Sequence, residues 1–104
     1  MPSYLKTPIY RNEALLRAVH EIACVCCGAW GYTQAAHVGG VAQGKGRGIK
    51  VSDSRIAALC CDRPQKVGCH TQFDQHKIDQ ARGPEFIAAT YIALIEAGLI
   101  VVAR

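Results

Sequence analysis

The chain has 104 residues, half of them hydrophobic, and twelve Lys and Arg against eight Asp and Glu give it a formal charge of +4. That is the size of one domain, 1–104, with room for a modest core and small enough for a bound metal to contribute substantially to folding. The longest apolar stretches, 86–97 and 99–103, are too short or are broken by Glu96 and Gly98, which argues against a membrane-spanning segment. Residues 1–11 carry Pro2, Lys6 and Pro8 and lack an apolar core, so no secretory signal is expected and the thiols should remain reduced inside the cell.

In chain order, Asn12 is placed to cap a helix with Leu15, Leu16, Val19 and Ile22 on one face, running into the first cysteine cluster. His20 on that helix reads as a surface or boundary residue. Segment 32–38 has the aromatic and β-branched content of a short strand, 39–48 is a glycine-rich loop, and 49–59 contains a second strand. A second helix should start near Cys69 and stop by Gly83. Pro84 fits the first turn of a third, with Phe86, Ile87, Tyr91, Leu94 and Ile95 as its apolar stripe and Gly98 as its stop. The tail 99–102 suits an edge strand or a homodimer contact.

Six cysteines fall in two clusters: Cys24, Cys26 and Cys27, then Cys60, Cys61 and Cys69. Cys24 and Cys27 have the C-x-x-C spacing by which one tight turn aims two sulfurs at one ion, and Gly28 relieves the crowded backbone behind them. The second pair is Cys69 with Cys60 or Cys61. Cys60 is preferred because it ends the apolar run 56–59, as a strand delivering a ligand would. Two thiolate pairs from separate parts of a short chain match a closed tetrahedral zinc site better than a disulfide framework or inert buried thiols.

Between Cys27 and Cys69 lie Lys45, Arg47, Lys50, Arg55, Arg63 and Lys66, opposed only by Asp53 and Asp62. A basic, glycine-rich middle suits a polyanion, although a solvated loop has the same composition. The run Gly39 to Gly46 matches G-x-x-x-x-G-K but has Gly46 where a phosphate-binding loop needs a Ser or Thr, so nucleotide hydrolysis is not expected.

Two histidines remain. On a helix from 69 to 80, His70 and Asp74 form an i, i+4 pair able to hold a divalent ion, and His37, before the basic loop, would face that ion across a small gap. Neutral imidazole beside a metal and a basic loop suits phosphodiester hydrolysis. Each group also has a plainer role open to it. His37 could ligate the zinc in place of a cysteine, Cys69 and His70 could both ligate one zinc, and Asp74 could stabilise the N-terminal end of its helix. His76 reads as a surface residue.

The order Cys24-x-x-Cys27-Gly28, Ala36-His37, Gly44-Lys45-Gly46, Lys50-Val51-Ser52-Asp53, Leu59-Cys60 and Cys69-His70 with Asp74 resembles the HNH (ββα-metal) endonucleases. It is most similar to small prophage-encoded members. The resemblance implies a small zinc-stabilised α+β domain with a ββα-metal core between N- and C-terminal helices. It also implies a DNA endonuclease acting in the cytoplasm of a bacterial or phage-infected cell. In that family pattern His37 is the general base, and His70, with Asp74 as a second ligand, holds magnesium or another divalent ion. Cys24, Cys27, Cys60 and Cys69 hold a structural zinc; the basic middle offers Lys45, Arg47 and Lys50 as the expected DNA contacts. The chain departs from the pattern at Ala36, where many members carry an Asp or His ligand, and at 53–55, where the central Asn has no clear counterpart. A non-catalytic zinc-stabilised nucleic-acid-binding module, or a protein-interaction zinc domain using the apolar tail, are the alternatives.

Overall fold

The structure is a computed structural model that describes residues 10–39, 51–101 and 103. It is an α+β fold: α1 (Glu13–Ala18), a 3₁₀ turn (Val19–Glu21), β1 (Thr33–His37), β2 (Ile56–Cys60), α2 (Cys69–Asp74), a second 3₁₀ turn (Gln80–Arg82) and α3 (Gly83–Glu96). Lys45, Arg47, Lys50 and most of the run resembling a phosphate-binding loop lie outside the described residues. Among the described residues no helix is long and apolar enough to cross a membrane.

Asn12 caps α1 as its chemistry requires, accepting the Leu15 N–H at 3.0 Å. The helix does not continue regularly to Ile22, as the sequence pattern suggests. It tightens at Val19, and the Ile22 carbonyl accepts the Thr33 hydroxyl at 2.7 Å instead. A side chain from the first strand thus fixes where the first helix ends.

β1 and β2 form a two-stranded antiparallel sheet in the register Thr33↔Cys60 to His37↔Ile56. The bonds Cys61 N–H to Tyr32 O (2.8 Å) and Val38 N–H to Arg55 O (2.7 Å) fix its phase. It follows that Ala35 and Ala58 are a non-hydrogen-bonded pair, and that the Ala58 N–H and C=O point away from β1. Both are satisfied there: the N–H donates to Thr90 Oγ1 at 2.8 Å, and the carbonyl accepts the Val25 N–H at 2.9 Å. The outer edge of β2 is therefore closed by α3 and by the first cysteine turn, which is why all five β2 residues are buried.

The core has two halves. Ala36, Ala57 and Leu59 pack with Phe73 and Phe86, while Ile56 and Ala58 pack with Val19, Ile22 and Leu94. α3 joins them, giving Phe86 to one and Leu94 to the other, and Phe86 meets Phe73 edge to face at 5.8 Å. The buried stripe of α3 is Phe86, Thr90 and Leu94, whereas Ile95, expected inside, is 48% exposed. Thr90 is tolerated there because its hydroxyl also donates to the Phe86 carbonyl at 2.8 Å, leaving neither group unpaired.

α2 is shorter than expected, six residues rather than a helix reaching towards Gly83. His76 adopts the left-handed conformation at φ 62°. The Lys77 N–H then returns to Gln72 O at 2.8 Å and the His76 N–H to Phe73 O at 3.1 Å, closing the helix as a glycine ordinarily would. α3 ends on Gly98 at φ 74°, as the sequence indicates. The tail residues Leu99, Ile100 and Val101 form no strand; with Tyr10, Leu15 and Tyr91 they line an open groove of about 640 Å³.

Thr90→Val keeps the shape of the side chain but strips the Ala58 N–H of its acceptor in a dry site. It should destabilise the fold by about 1–3 kcal/mol, read as a lower urea midpoint at unchanged m-value.

Candidate functional site

Three elements deliver four sulfurs to one point. Cys24 and Cys27 come from the turn after the first 3₁₀ segment, Cys60 from the end of β2, and Cys69 from the first residue of α2. Their Sγ atoms all lie within 4.8 Å of one another, with Cys27 and Cys60 at 3.7 Å. Four thiolates at about 2.3 Å from a tetrahedral zinc stand about 3.8 Å apart, so the donor set and its size fit such an ion. Cys60, not Cys61, joins the cluster: alternation along the strand turns Cys61 the other way, and its N–H is used by Tyr32 O.

The backbone is shaped around the sulfurs. The Cys26 and Cys27 N–H groups both donate to Cys24 Sγ at 3.4 Å, and the Cys69 N–H donates to Cys60 Sγ at 3.3 Å. Gly28 closes the first turn at φ 83°. Gly68 is required for a different reason, since a Cβ there would run into the backbone of Cys60 and Cys61. The long segment between Cys60 and Cys69 is an ordered loop. Arg63 and Lys66 exchange backbone bonds of 2.8 and 3.0 Å around Pro64 and Gln65, and Asp62 Oδ1 accepts the Gly68 N–H at 2.8 Å. That bond, ahead of the Thr71 hydroxyl, keeps the Asp62 carboxyl below the usual carboxylate range.

With no cation among them these thiols cannot all ionise. Burial pushes the Cys60 and Cys69 thiols up. Desolvation acts the same way on Cys27, but the Ala29 backbone and the neighbouring Cys60, Cys24 and Cys69 outweigh it and lower that thiol to about 7. A divalent ion removes the conflict by ligating every sulfur as thiolate.

His37 lies at the end of β1 with its side chain 37% exposed, and its Nε2 meets Asp53 Oδ1 at 2.7 Å. Asp53 is only 4% exposed. It also accepts the Asn12 N–H at 2.8 Å and Arg11 Nη1 at 3.0 Å. The His37 bond first, then the Asn12 N–H, hold its carboxyl below the usual range against the opposing effect of burial, and Arg11 adds to this. As the acceptor is a carboxylate, Nε2 is the ring nitrogen that carries the hydrogen in this bond, and Nδ1 lies on the other side of the ring. In the sequence Asp53 stands out only as an acidic neighbour of basic residues. No local pattern pairs it with a histidine sixteen positions earlier.

His70 sits at the start of α2. Its Nδ1 meets Gln34 Oε1 at 2.8 Å, which leaves Nε2 beside Asp74 Oδ2 at 3.5 Å. Asp74 is the last residue of α2, so the helix dipole does not favour a carboxylate there and the alternative of N-terminal stabilisation is corrected. His37 takes no part in the sulfur cluster. Among the described residues, the group of three or more metal-ligating side chains is the set of four cysteines, and His70 and Asp74 stand as a pair without a third such neighbour.

Strand alternation separates the two histidines. Thr33, Ala35 and His37 point towards α1 and its 3₁₀ turn, where Thr33 bonds Ile22 and His37 bonds Asp53. Gln34 and Ala36 point to the other face, where Gln34 meets His70. The structure brings His37 to Asp53 and His70 to Asp74, the two pairs extending from opposite faces of the hairpin. His20 is exposed, with Nδ1 at 2.8 Å from Thr33 O, and His76 is the exposed helix stop described above. No protein-family model, curated protein or solved structure matches the chain.

Two outcomes are expected. Metal analysis should find one tightly held ion per chain, and Cys24→Ser or Cys69→Ser should lose it. Since such centres contribute about 10–16 kcal/mol in small metal-dependent folds, more than a domain of this size has to spare, chelation should unfold the chain. The second concerns Asp53, whose folded pKa is depressed: its contribution is complete above the unfolded value of about 3.9 and is lost as pH falls through the lower folded one. Asp53→Asn should be less stable than wild type at pH 7, and the difference should shrink below about pH 4 in parallel thermal melts.

Proposed function

We propose that the chain is a metal-dependent endonuclease that hydrolyses DNA phosphodiester bonds on an HNH-like ββα-metal scaffold held by a structural zinc. The observation that carries the proposal is the His37–Asp53 pair: an accessible imidazole whose far nitrogen is fixed by a buried carboxylate at 2.7 Å. Further support comes from the element order β1, β2, α2, with His70 in the first turn of the helix, and from a four-cysteine cluster that would leave no open position for substrate and so suits a structural zinc.

In this mechanism His37 Nδ1 takes the proton from the attacking water, and Asp53 holds the ring in the required tautomer and steadies the imidazolium that forms. Asp53 is a positioning residue. Lys45, Arg47 and Lys50, which follow His37 in the sequence, neutralise backbone phosphates. His70 and Asp74 would hold the catalytic divalent ion, which supplies charge neutralisation at the phosphate and at the leaving oxygen. Cytoplasmic thiols stay reduced, as the zinc centre requires.

A second function, a non-catalytic zinc-stabilised nucleic-acid-binding module, is favoured by one specific observation: His37 and His70 stand on opposite faces of the hairpin. Supercoiled plasmid incubated with purified protein and magnesium, manganese or nickel separates the two. Nicking that His37→Ala reduces by about 10²–10⁴-fold, with zinc content and circular dichroism unchanged, is the result expected of the nuclease. Band shifts without nicking under every ion would leave only the binding module. In either case Lys45→Ala with Arg47→Ala should make the salt dependence of DNA binding shallower, by about one unit of slope for each phosphate no longer neutralised.

A further inference from the structure

The loop between Cys60 and Cys69 presses a cation against the sulfur cluster. Arg63 Nη2 donates to Cys60 Sγ at 3.5 Å, and the guanidinium carbon lies 4.4 Å from the centre of the Tyr32 ring. The paired backbones of Arg63 and Lys66 and the Asp62–Gly68 bond hold this part of the loop in place. Arg63 Nε is buried and has no hydrogen-bond partner among the described residues. A guanidinium with one buried, unpaired N–H is unfavourable unless negative charge lies close by. Four thiolates around a divalent ion would form a dianion directly beside this guanidinium.

We propose that Arg63 is a charge-compensating positioning residue of the metal centre. With the ion bound, its planar fork donates to the Cys60 sulfur, offsets part of the dianion's charge, and is kept in register by stacking on Tyr32. The stacked cation opposes dissociation of Cys60 from the ion and closes the loop 61–68 over it. Metal occupancy and loop order are thereby coupled through one side chain. This role rests on the four cysteines holding a metal.

The test compares wild type, Arg63→Ala, Arg63→Gln and Lys66→Ala, each loaded with zinc and titrated with a competing chelator, and each loaded separately with cobalt(II) for its absorption spectrum. Arg63→Ala should weaken metal affinity by about 10- to 100-fold and speed metal release. The cobalt bands should keep the intensity and position of a tetrahedral four-sulfur site, so that the loss is one of affinity and not of a ligand. Arg63→Gln, neutral but polar and closer in size, should lie near Arg63→Ala, and it decides the matter if Arg63→Ala does not fold. Lys66→Ala removes a charge from the same loop without touching sulfur and should match wild type. Wild-type affinity in Arg63→Gln would overturn the proposal, as would an equal loss in Lys66→Ala. A wild-type chain that takes up no zinc would remove the metal centre itself. That is distinct from a zinc-binding wild type matched by its Arg63 variants, which would remove only the role of Arg63.

Discussion

Four thiols within 4.8 Å of one another, three of them buried, form an arrangement that a folded chain sustains best around a cation. Burial raises Cys60 and Cys69, and ionising one sulfur makes the next harder to ionise, so the bare cluster sets desolvation against charge. A divalent ion would convert that opposition into bonds. The cluster brings together three pieces of backbone: the turn at 24–28, the end of β2 and the start of α2. Beside it, Val25 bonds the edge of β2, and His70 meets Gln34.

β2 is the element that the rest of the molecule surrounds. One edge pairs with β1, the other is closed by Thr90 and Val25, and its faces separate the two halves of the core. This arrangement creates two chemically different surfaces. On one, Asp53 gathers Arg11, Asn12 and His37 around a single buried carboxylate, tying the segment before α1 to the end of β1. On the other, His70 and Asp74 of α2 lie beside Gln34 of β1.

Much of the chain is legible from sequence because the physics involved is local. Asn12 caps α1 through an acceptor three residues from its donor, Pro84 sits in the first turn of α3, and Gly98 supplies the left-handed residue after it. The spacing of Cys24 and Cys27 fits one turn whatever the rest of the chain does. The end of α2 is not legible in this way, because His76 takes a conformation usually left to glycine, stabilised by returning backbone bonds that no composition rule announces.

The sequence by itself determined the presence of both helices and strands, the first cysteine pair and the approximate place of most elements, since these follow from residue type, spacing and periodicity within a few positions. Only the tertiary structure decided that Cys60 and not Cys61 joins the cluster, that Thr90 belongs inside, that Asp53 holds His37, and that His37 and His70 face opposite ways. Each of these depends on the phase of a strand or on partners sixteen to thirty-six positions apart. A one-residue change of register reverses which face every strand side chain occupies. That register is set by packing against the first cysteine turn and α3, so no local reading of the chain contains it.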